Sequence, residues 1–123
     1  MKKTILIIDD DPELVQLLKN RLEKNDYNAL PAYNGLGGLE KLNKERVDLI
    51  ILDIWLPDID GFSFVQKLKG SETLKAIPVI ILTARAHLRD LFEAEGIKHY
   101  FVKPMNADAL LKTIKEILET PVE

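Results

Sequence analysis

Acidic residues follow two short apolar runs, and this arrangement is the strongest chemical signal in the sequence. Asp9-Asp10-Asp11 comes directly after the run 4–8, and Asp53 comes directly after the run 49–52. Short, β-branched runs without polar alternation are typical of buried strands. If the two strands are neighbours in a parallel sheet, their acids meet at the carboxyl ends, where open α/β sheets place ligands. Crowded carboxylates repel each other, so protonation or a hard cation must relieve that repulsion.

A hydroxyl and an amine follow two further apolar runs. Thr83 follows the run 78–82, and Lys103 follows the run 99–102. In one parallel sheet both side chains lie at the same edge as the acids. Carboxylate oxygens suit Mg²⁺, which keeps positions open for phosphate, and an ammonium or hydroxyl can bind the remaining phosphoryl oxygens. A carboxylate can itself accept the phosphoryl group as an acyl phosphate, so the set predicts phosphoryl transfer that depends on positioning and charge neutralisation.

Strands and helices alternate along the chain. The predicted strands are residues 4–8, 28–33, 48–52, 78–82 and 99–102. Five β-α units imply a parallel sheet with helices on both faces. Pro31 lies inside the second strand and cannot donate to a ladder, so that strand belongs at an edge. The order 2-1-3-4-5 satisfies this and makes strands 1 and 3 neighbours, which predicts a flavodoxin-like, doubly wound (βα)5 three-layer sandwich.

Five helices connect and follow these strands. The first begins with Asp11 as its N-cap and Pro12 at its first position, a favourable pairing. The second and third follow Asn34-Gly35 and Asp60-Gly61, the fourth is short, and the fifth is capped by Asn106 and ended by Pro121. Their predicted apolar faces, in chain order, are Leu14, Val15, Leu18 and Leu22; Leu36, Leu39 and Leu42; Phe64, Val65 and Leu68; Leu88, Leu91 and Phe92; and Leu110, Leu111, Ile114, Ile117 and Leu118.

Composition narrows the class of protein. The 123 residues are enough for one domain, predicted over 1–123, with 119–123 as a tail or the start of a linker. A net charge of −3 lacks the basic footprint of a nucleic-acid binder. The absence of cysteine excludes thiolate metal sites and cysteine nucleophiles. The first apolar run is too short for a membrane span or a signal peptide, so we expect a cytoplasmic protein without a membrane partner.

Several motifs in register resemble the receiver domain of two-component response regulators. They are Asp9-Asp10, residues 53–61, residues 78–84 and Lys103-Pro104, and the likeness runs from about residue 4 to residue 118. The resemblance implies a chemotaxis-regulator-like single receiver, a phosphoacceptor switch rather than a turnover enzyme. It also implies Mg²⁺ as cofactor and a sensor histidine kinase or phosphotransfer protein as phosphoryl donor. The downstream effector is unknown, and the signal is expected to leave through the face of helix 4, strand 5 and helix 5.

The resemblance also implies roles for residues at the phosphorylation site. Asp53 matches the phosphoacceptor, and Asp9 and Asp10 match the acidic pair that holds Mg²⁺. Trp55 matches the position that offers its backbone carbonyl to the metal. Lys103 matches the phosphate-binding lysine, in a Lys-Pro peptide that is cis in the family.

Three further positions match the family's response to phosphorylation. Thr83 matches the hydroxyl that moves to the phosphoryl group, and Tyr100 matches the aromatic residue that then turns inward. Ala84 matches the small residue that keeps the phosphoryl group accessible. Asp11, by contrast, is interpreted as a helix cap only.

The sequence departs from the family pattern at five places. The side chain of Trp55 is larger than usual and is expected to overhang the phosphorylation site, and Arg85 stands at another position associated with phosphoryl lifetime. The segment 86–96 is short, which predicts a short fourth helix. Gly37-Gly38 lies in the second helix at a cost of roughly 1 kcal/mol per glycine relative to alanine, so that helix is expected to fray. Lys98-His99 replaces acids that support a dimer in DNA-binding relatives.

Three other functions stay open from the sequence. A small Mg²⁺-dependent phosphohydrolase that uses an aspartyl-phosphate would fit the spacing of Asp9 and Asp11. A flavodoxin-like cofactor binder would place a phosphate at the first strand–helix loop, where three aspartates repel it. A docking-only receiver would need none of the matched polar residues.

Overall fold

Five parallel strands form one sheet in the computed structural model, which describes residues 2–119. The order is β2-β1-β3-β4-β5, which confirms the predicted topology. The strands are β1 (Thr4–Ile8), β2 (Asn28–Ala32), β3 (Leu49–Leu52), β4 (Val79–Thr83) and β5 (His99–Val102). Predicted and observed ends differ by one residue in β2, β3 and β4, so Thr83 is the last residue of its strand.

Pro31 lies in the edge strand, as predicted. Pro31 pairs with Ile7 of β1, and β1 is the neighbour of β2 on one side in the sheet. An edge strand can accept a residue without an N–H because one of its sides needs no ladder partner. The position of this proline therefore agrees with the edge position of β2.

Five α-helices surround the sheet. They are α1 (Pro12–Lys24), α2 (Gly35–Lys44), α3 (Gly61–Lys69), α4 (Arg89–Glu93) and α5 (Ala107–Glu119), with a 3-10 turn at Ala86–Leu88. The predicted caps form at the starts of α1 and α5, where the side chains of Asp11 and Asn106 accept backbone N–H groups. Asn34 and Asp60 cap α2 and α3 in the same way. The fourth helix has five residues, which confirms that it is short. Pro121, predicted to end α5, lies outside the described residues.

Two cores lie on opposite faces of the sheet. Alternate strand residues point to each face, as the pleat requires. On one side, α1 and α5 cover the strands, with the core residues Ile5, Ile7, Val15, Leu18, Leu22, Leu49, Ile51, Ile80, Leu82, Leu110 and Ile114. On the other side, α2, α3 and α4 contribute to a core that includes Leu6, Ile8, Leu42, Ile50, Leu52, Phe64, Val65, Leu68, Ile81 and Phe92. None of the helices within residues 2–119 has the length and hydrophobicity needed to cross a membrane.

The predicted apolar faces of α2 and α4 were wrong at one residue each. Leu36 is 66% exposed and Leu91 is 45% exposed. Helix α2 approaches the sheet through glycine: a Cβ on Gly38 would lie 2.6 Å from the Cδ1 of Ile8. This close approach turns Leu36 outward and gives Gly38 a packing role that offsets its poor helix propensity. The short α4 buries Phe92 and leaves Leu91 in solvent.

Candidate functional site

The register between β1 and β3 places two buried acids side by side. Ile8 pairs with Leu52, so the next residues, Asp9 and Asp53, leave adjacent strands at the same level. The N–H of Asp53 donates to the carbonyl of Ile8 at 2.9 Å and extends the ladder by one step. Asp9 is 3% exposed and Asp53 is 6% exposed. Burial of two neighbouring carboxylates is unfavourable unless cations compensate their charge.

Lys103 supplies one compensating charge. Its Nζ donates to the Oδ2 of Asp9 at 2.7 Å and to the Oδ2 of Asp53 at 3.1 Å. The N–H of Lys103 donates to the carbonyl of Thr83 at 2.8 Å, which continues the pairing of β4 and β5 beyond the last strand residue. The Lys103–Pro104 peptide is cis, as the resemblance implied. The side chains from three strand ends therefore meet at one point.

A third acid completes a set of hard oxygen ligands. Asp9, Asp10 and Asp53 each offer a carboxylate oxygen, and these atoms lie within 4.8 Å of one another. Asp10 is exposed, whereas the other two are buried. Oxygen donors at this spacing with one solvent-facing member fit Mg²⁺, which keeps part of its hydration shell. Asp11 stands apart, because its carboxylate accepts the N–H groups of Glu13 and Leu14 at the start of α1.

The ionisation of the site reflects burial and pairing. Burial raises the pKa of Asp9 above its usual value, although the hydrogen bond from Lys103 works in the opposite direction. Burial alone would lower the pKa of Lys103, but its hydrogen bond to Asp9 and the attraction of both carboxylates outweigh this and raise it. The ammonium therefore stays charged while the carboxylates remain incompletely compensated, and a further cation is favourable here.

The loop after β3 holds an unusual exposed ring. The N–H of Trp55 donates to the Oδ1 of Asp53 at 3.2 Å. The side chain of Trp55 is 66% exposed, and the guanidinium carbon of Arg85 lies 4.1 Å from the centre of its ring. This is a cation–π contact between the loops that follow β3 and β4. The expected overhang of the ring above Asp53 stays a prediction.

The predicted switch residues are both buried. Thr83 has no exposed surface, and its Oγ1 accepts the N–H of Arg85 at 3.3 Å. Tyr100 is buried, and its hydroxyl donates to the carbonyl of Arg85. The ring of Tyr100 packs 6.1 Å from that of Phe92, and the guanidinium of Arg89 lies 5.0 Å from its centre. Burial raises the pKa of the Tyr100 hydroxyl.

Comparison with known families agrees with this geometry. The model of the response regulator receiver domain matches residues 5–115. The chain belongs to the family of response regulator receiver domains. The match includes every strand except the first residue of β1, and it covers the site from Asp9 to Lys103.

Curated relatives of this receiver domain include short and long proteins. It is 35% identical to protein PilH of Pseudomonas aeruginosa over 93% of this chain and 96% of PilH. It is 32% identical to the polar-differentiation response regulator DivK of Brucella anthropi, over 96% of this chain and 98% of DivK. It is 38% identical to the transcriptional regulatory protein GlrR of Escherichia coli, but spans 26% of that protein's length.

Solved structures show the same fold. A CheY-like receiver domain from Methanospirillum hungatei superimposes with a TM-score of 0.88 at 32% identity, over 97% of this chain and 95% of that one. The response regulator TrrA from Thermotoga maritima, solved in complex with Mg²⁺ and BeF, gives a TM-score of 0.84 at 34% identity. That alignment covers 94% of this receiver domain and 99% of the TrrA chain.

One acid in the receiver domain has a contact that sequence reasoning missed. Asp58 lies in the loop between β3 and α3, and its two carboxylate oxygens accept the N–H groups of Gly35 and Leu36 at 2.8 and 2.9 Å. These hydrogen bonds, the one from Leu36 first, lower the pKa of Asp58. The loop after β3 is thereby tied to the start of α2. The two partners of the first bond are 23 positions apart, and no local pattern signals such a pairing.

Proposed function

We propose that this receiver domain is a Mg²⁺-dependent phosphoacceptor switch of a two-component phosphorelay. A sensor histidine kinase or phosphotransfer protein supplies the phosphoryl group to Asp53. The observation that carries the proposal is the bridge of Lys103 between Asp9 and Asp53, at 2.7 and 3.1 Å. The ammonium of Lys103 and the carboxylate oxygens of Asp9 and Asp10 thus lie around the buried carboxylate of Asp53.

The transfer step follows from these positions. A carboxylate oxygen of Asp53 attacks the phosphorus, and the bond from phosphorus to the donor's histidine nitrogen breaks. The imidazole keeps the electron pair and later takes a proton from solvent, and Asp53 carries an acyl phosphate. Lys103 holds its ammonium where it can pair with a phosphoryl oxygen after it releases Asp53. Mg²⁺, held by Asp9, Asp10, Asp53 and the carbonyl of Trp55, would neutralise charge on the transferring group.

Phosphorylation changes what Thr83 contacts. The buried hydroxyl of Thr83 already accepts a hydrogen bond from Arg85, and as a donor it can satisfy a phosphoryl oxygen. A ligand that binds one arrangement better shifts the population towards it, so the proposed output is the arrangement of Thr83 and Tyr100. The surface of α4, β5 and α5 would present this state to an effector. A net charge of −3 argues against direct nucleic-acid binding by this domain, and the proposed compartment is the cytoplasm.

Two alternatives predict different chemistry. A phosphohydrolase would use Asp9 and Asp11 as a pair, but the carboxylate of Asp11 caps the N-terminus of α1 by accepting two backbone N–H groups. Multiple turnover of a small phosphoester such as p-nitrophenyl phosphate would support that enzyme. A docking-only receiver would bind its partner without becoming modified.

The test is modification by acetyl phosphate, measured as intact mass with and without Mg²⁺. We expect one phosphoryl group per molecule in the wild type with Mg²⁺ and none in Asp53→Asn. Asp58→Asn is the matched control, because it changes an acid in the same loop and should leave the modification intact. Modification of Asp53→Asn at a single other aspartate would show that the phosphoacceptor is misassigned.

A further inference from the structure

Arg85 contacts both switch residues and the loop that carries the phosphoacceptor. Its N–H donates to the Oγ1 of Thr83, and its carbonyl accepts the hydroxyl of Tyr100. Its guanidinium lies 4.1 Å from the centre of the Trp55 ring. The backbone of Arg85 is thus held by two buried side chains, while its own side chain contacts an exposed ring at the surface.

Trp55 depends on Arg85 because the ring is otherwise mostly in solvent. It is 66% exposed, whereas most large apolar side chains of the described chain are buried. Its backbone N–H hydrogen-bonds to Asp53, so the ring is attached to the segment directly beside that carboxylate. An indole is the most favourable aromatic ring for a cation–π contact, so the guanidinium of Arg85 stabilises the stacked position of this ring.

We propose that Arg85 is a positioning residue that couples the position of the Tyr100 hydroxyl to the position of the Trp55 ring. While the Tyr100 hydroxyl holds the carbonyl of Arg85, the backbone is fixed and the guanidinium keeps the indole in its stacked position. When that hydrogen bond is lost, the guanidinium leaves the ring and Trp55 becomes free to move. Tyr100, Arg85 and Trp55 therefore form one coupled unit, which we call the latch.

The consequence for access to Asp53 rests on the proposed function, but the latch itself does not. A stacked Trp55 would restrict the approach of water or a phosphoryl donor to the neighbouring carboxylate, and a released ring would open it. The packing of Tyr100 against Phe92 and Arg89 is independent of its hydroxyl. Tyr100→Phe therefore removes the link to Arg85 and keeps the aromatic ring in its core position.

The experiment uses Trp55 as its own probe, since it is the sole tryptophan in the sequence. Quenching of its fluorescence by acrylamide is measured in EDTA without any phosphoryl donor. We expect a larger quenching constant in Arg85→Ala and in Tyr100→Phe than in the wild type, and no additional increase in the double variant. Arg85→Lys keeps a cation for the ring and should lie between wild type and Arg85→Ala. Tyr33→Phe, at an exposed tyrosine, should match the wild type.

The outcomes separate this inference from the phosphoacceptor assignment. Equal quenching in Tyr100→Phe and wild type would show that the stack is not coupled to the tyrosine, and equal quenching in Arg85→Ala would show that the stack does not hold the ring. The indole N–H signal in ¹H–¹⁵N spectra gives a second measure: it should shift in the same direction in both variants. Failure of Asp53 phosphorylation would leave all these results unchanged.

Discussion

Lys103 and Asp9 form a 2.7 Å ion pair although 94 positions separate them in the sequence. The same ammonium reaches Asp53 at 3.1 Å, so one cation serves two carboxylates. Both acids are buried, and the lysine side chain is 24% exposed. The balance of charge at this edge of the sheet therefore depends on one residue, and a second cation would complete it.

Loss of this lysine should destabilise the metal-free protein. Lys103→Met leaves Asp9 and Asp53 buried without their shared cation, and the loss of one partner of a buried ion pair costs about 3–5 kcal/mol of unfolding free energy. Urea denaturation in EDTA measures it, with Lys112→Met, at an exposed lysine, as the control. Because the lysine competes for the same oxygens, Mg²⁺ should stabilise Lys103→Met more than the wild type. A smaller Mg²⁺ effect in the variant would contradict this.

Mg²⁺ should stabilise the wild-type fold by binding the native acid cluster. The expected gain is RT ln(1+[Mg²⁺]/Kd), about 2.7 kcal/mol at a hundredfold excess over Kd. Thermal melts with EDTA and with millimolar Mg²⁺ measure it, and the emission of Trp55 should change over the same titration. An identical Tm in both conditions would mean that the cluster does not bind the ion.

Asp9 should make the stability of the metal-free protein depend on pH. Its folded pKa is raised above the usual 3.8, so the unfolded chain releases this proton first as pH rises. The favourable contribution is therefore full below pH 3.8 and is lost as pH rises through the folded pKa. Asp9→Asn removes this loss, so its stability relative to wild type should increase between pH 3.8 and neutrality. Denaturation in EDTA across that range measures the difference, with Asp90→Asn at an exposed acid as the control. A difference that stays constant with pH would refute the assignment to Asp9.

Asp58 should contribute to stability through α2. Asp58→Ala removes the acceptors for the N–H groups of Gly35 and Leu36, a loss similar to that of a helix cap, about 1 kcal/mol. Chemical denaturation measures it, and Asp11→Ala, at the cap of α1, gives the reference value for this chain. If Asp58→Ala denatures at the same urea concentration as wild type, the two hydrogen bonds do not stabilise the fold.

The site could be predicted from the sequence because the register of the parallel strands brings its residues together. Five apolar runs, one proline inside the second, and polar residues at the run ends favoured the order 2-1-3-4-5, and that order predicted the meeting of Asp9, Asp53 and Lys103. Parallel strands place their carboxyl ends together, so residues that directly follow neighbouring strands lie close to one another. The helix caps at Asp11 and Asn106 followed from equally local rules.

The contacts that the sequence did not predict are those that depend on tertiary packing. The hydrogen bonds of Asp58 to α2 depend on how two loops lie against each other, and no periodicity encodes that. The exposure of Leu36 follows from the close approach of Gly38 to Ile8, which is a tertiary constraint. Arg85 and Trp55 depart from the family pattern in the sequence, but their stacking depends on the packing of the loops after β3 and β4.

The most direct test of the central claim is to map the phosphorylated residue. The protein is incubated with acetyl phosphate and Mg²⁺, the acyl phosphate is trapped by borohydride reduction, and the peptides are sequenced by mass spectrometry. Reduction at Asp53, dependent on Mg²⁺ and absent when acetyl phosphate is omitted, is the predicted result. Reduction at Asp9, Asp10 or another acid, with Asp53 unchanged, would contradict the account.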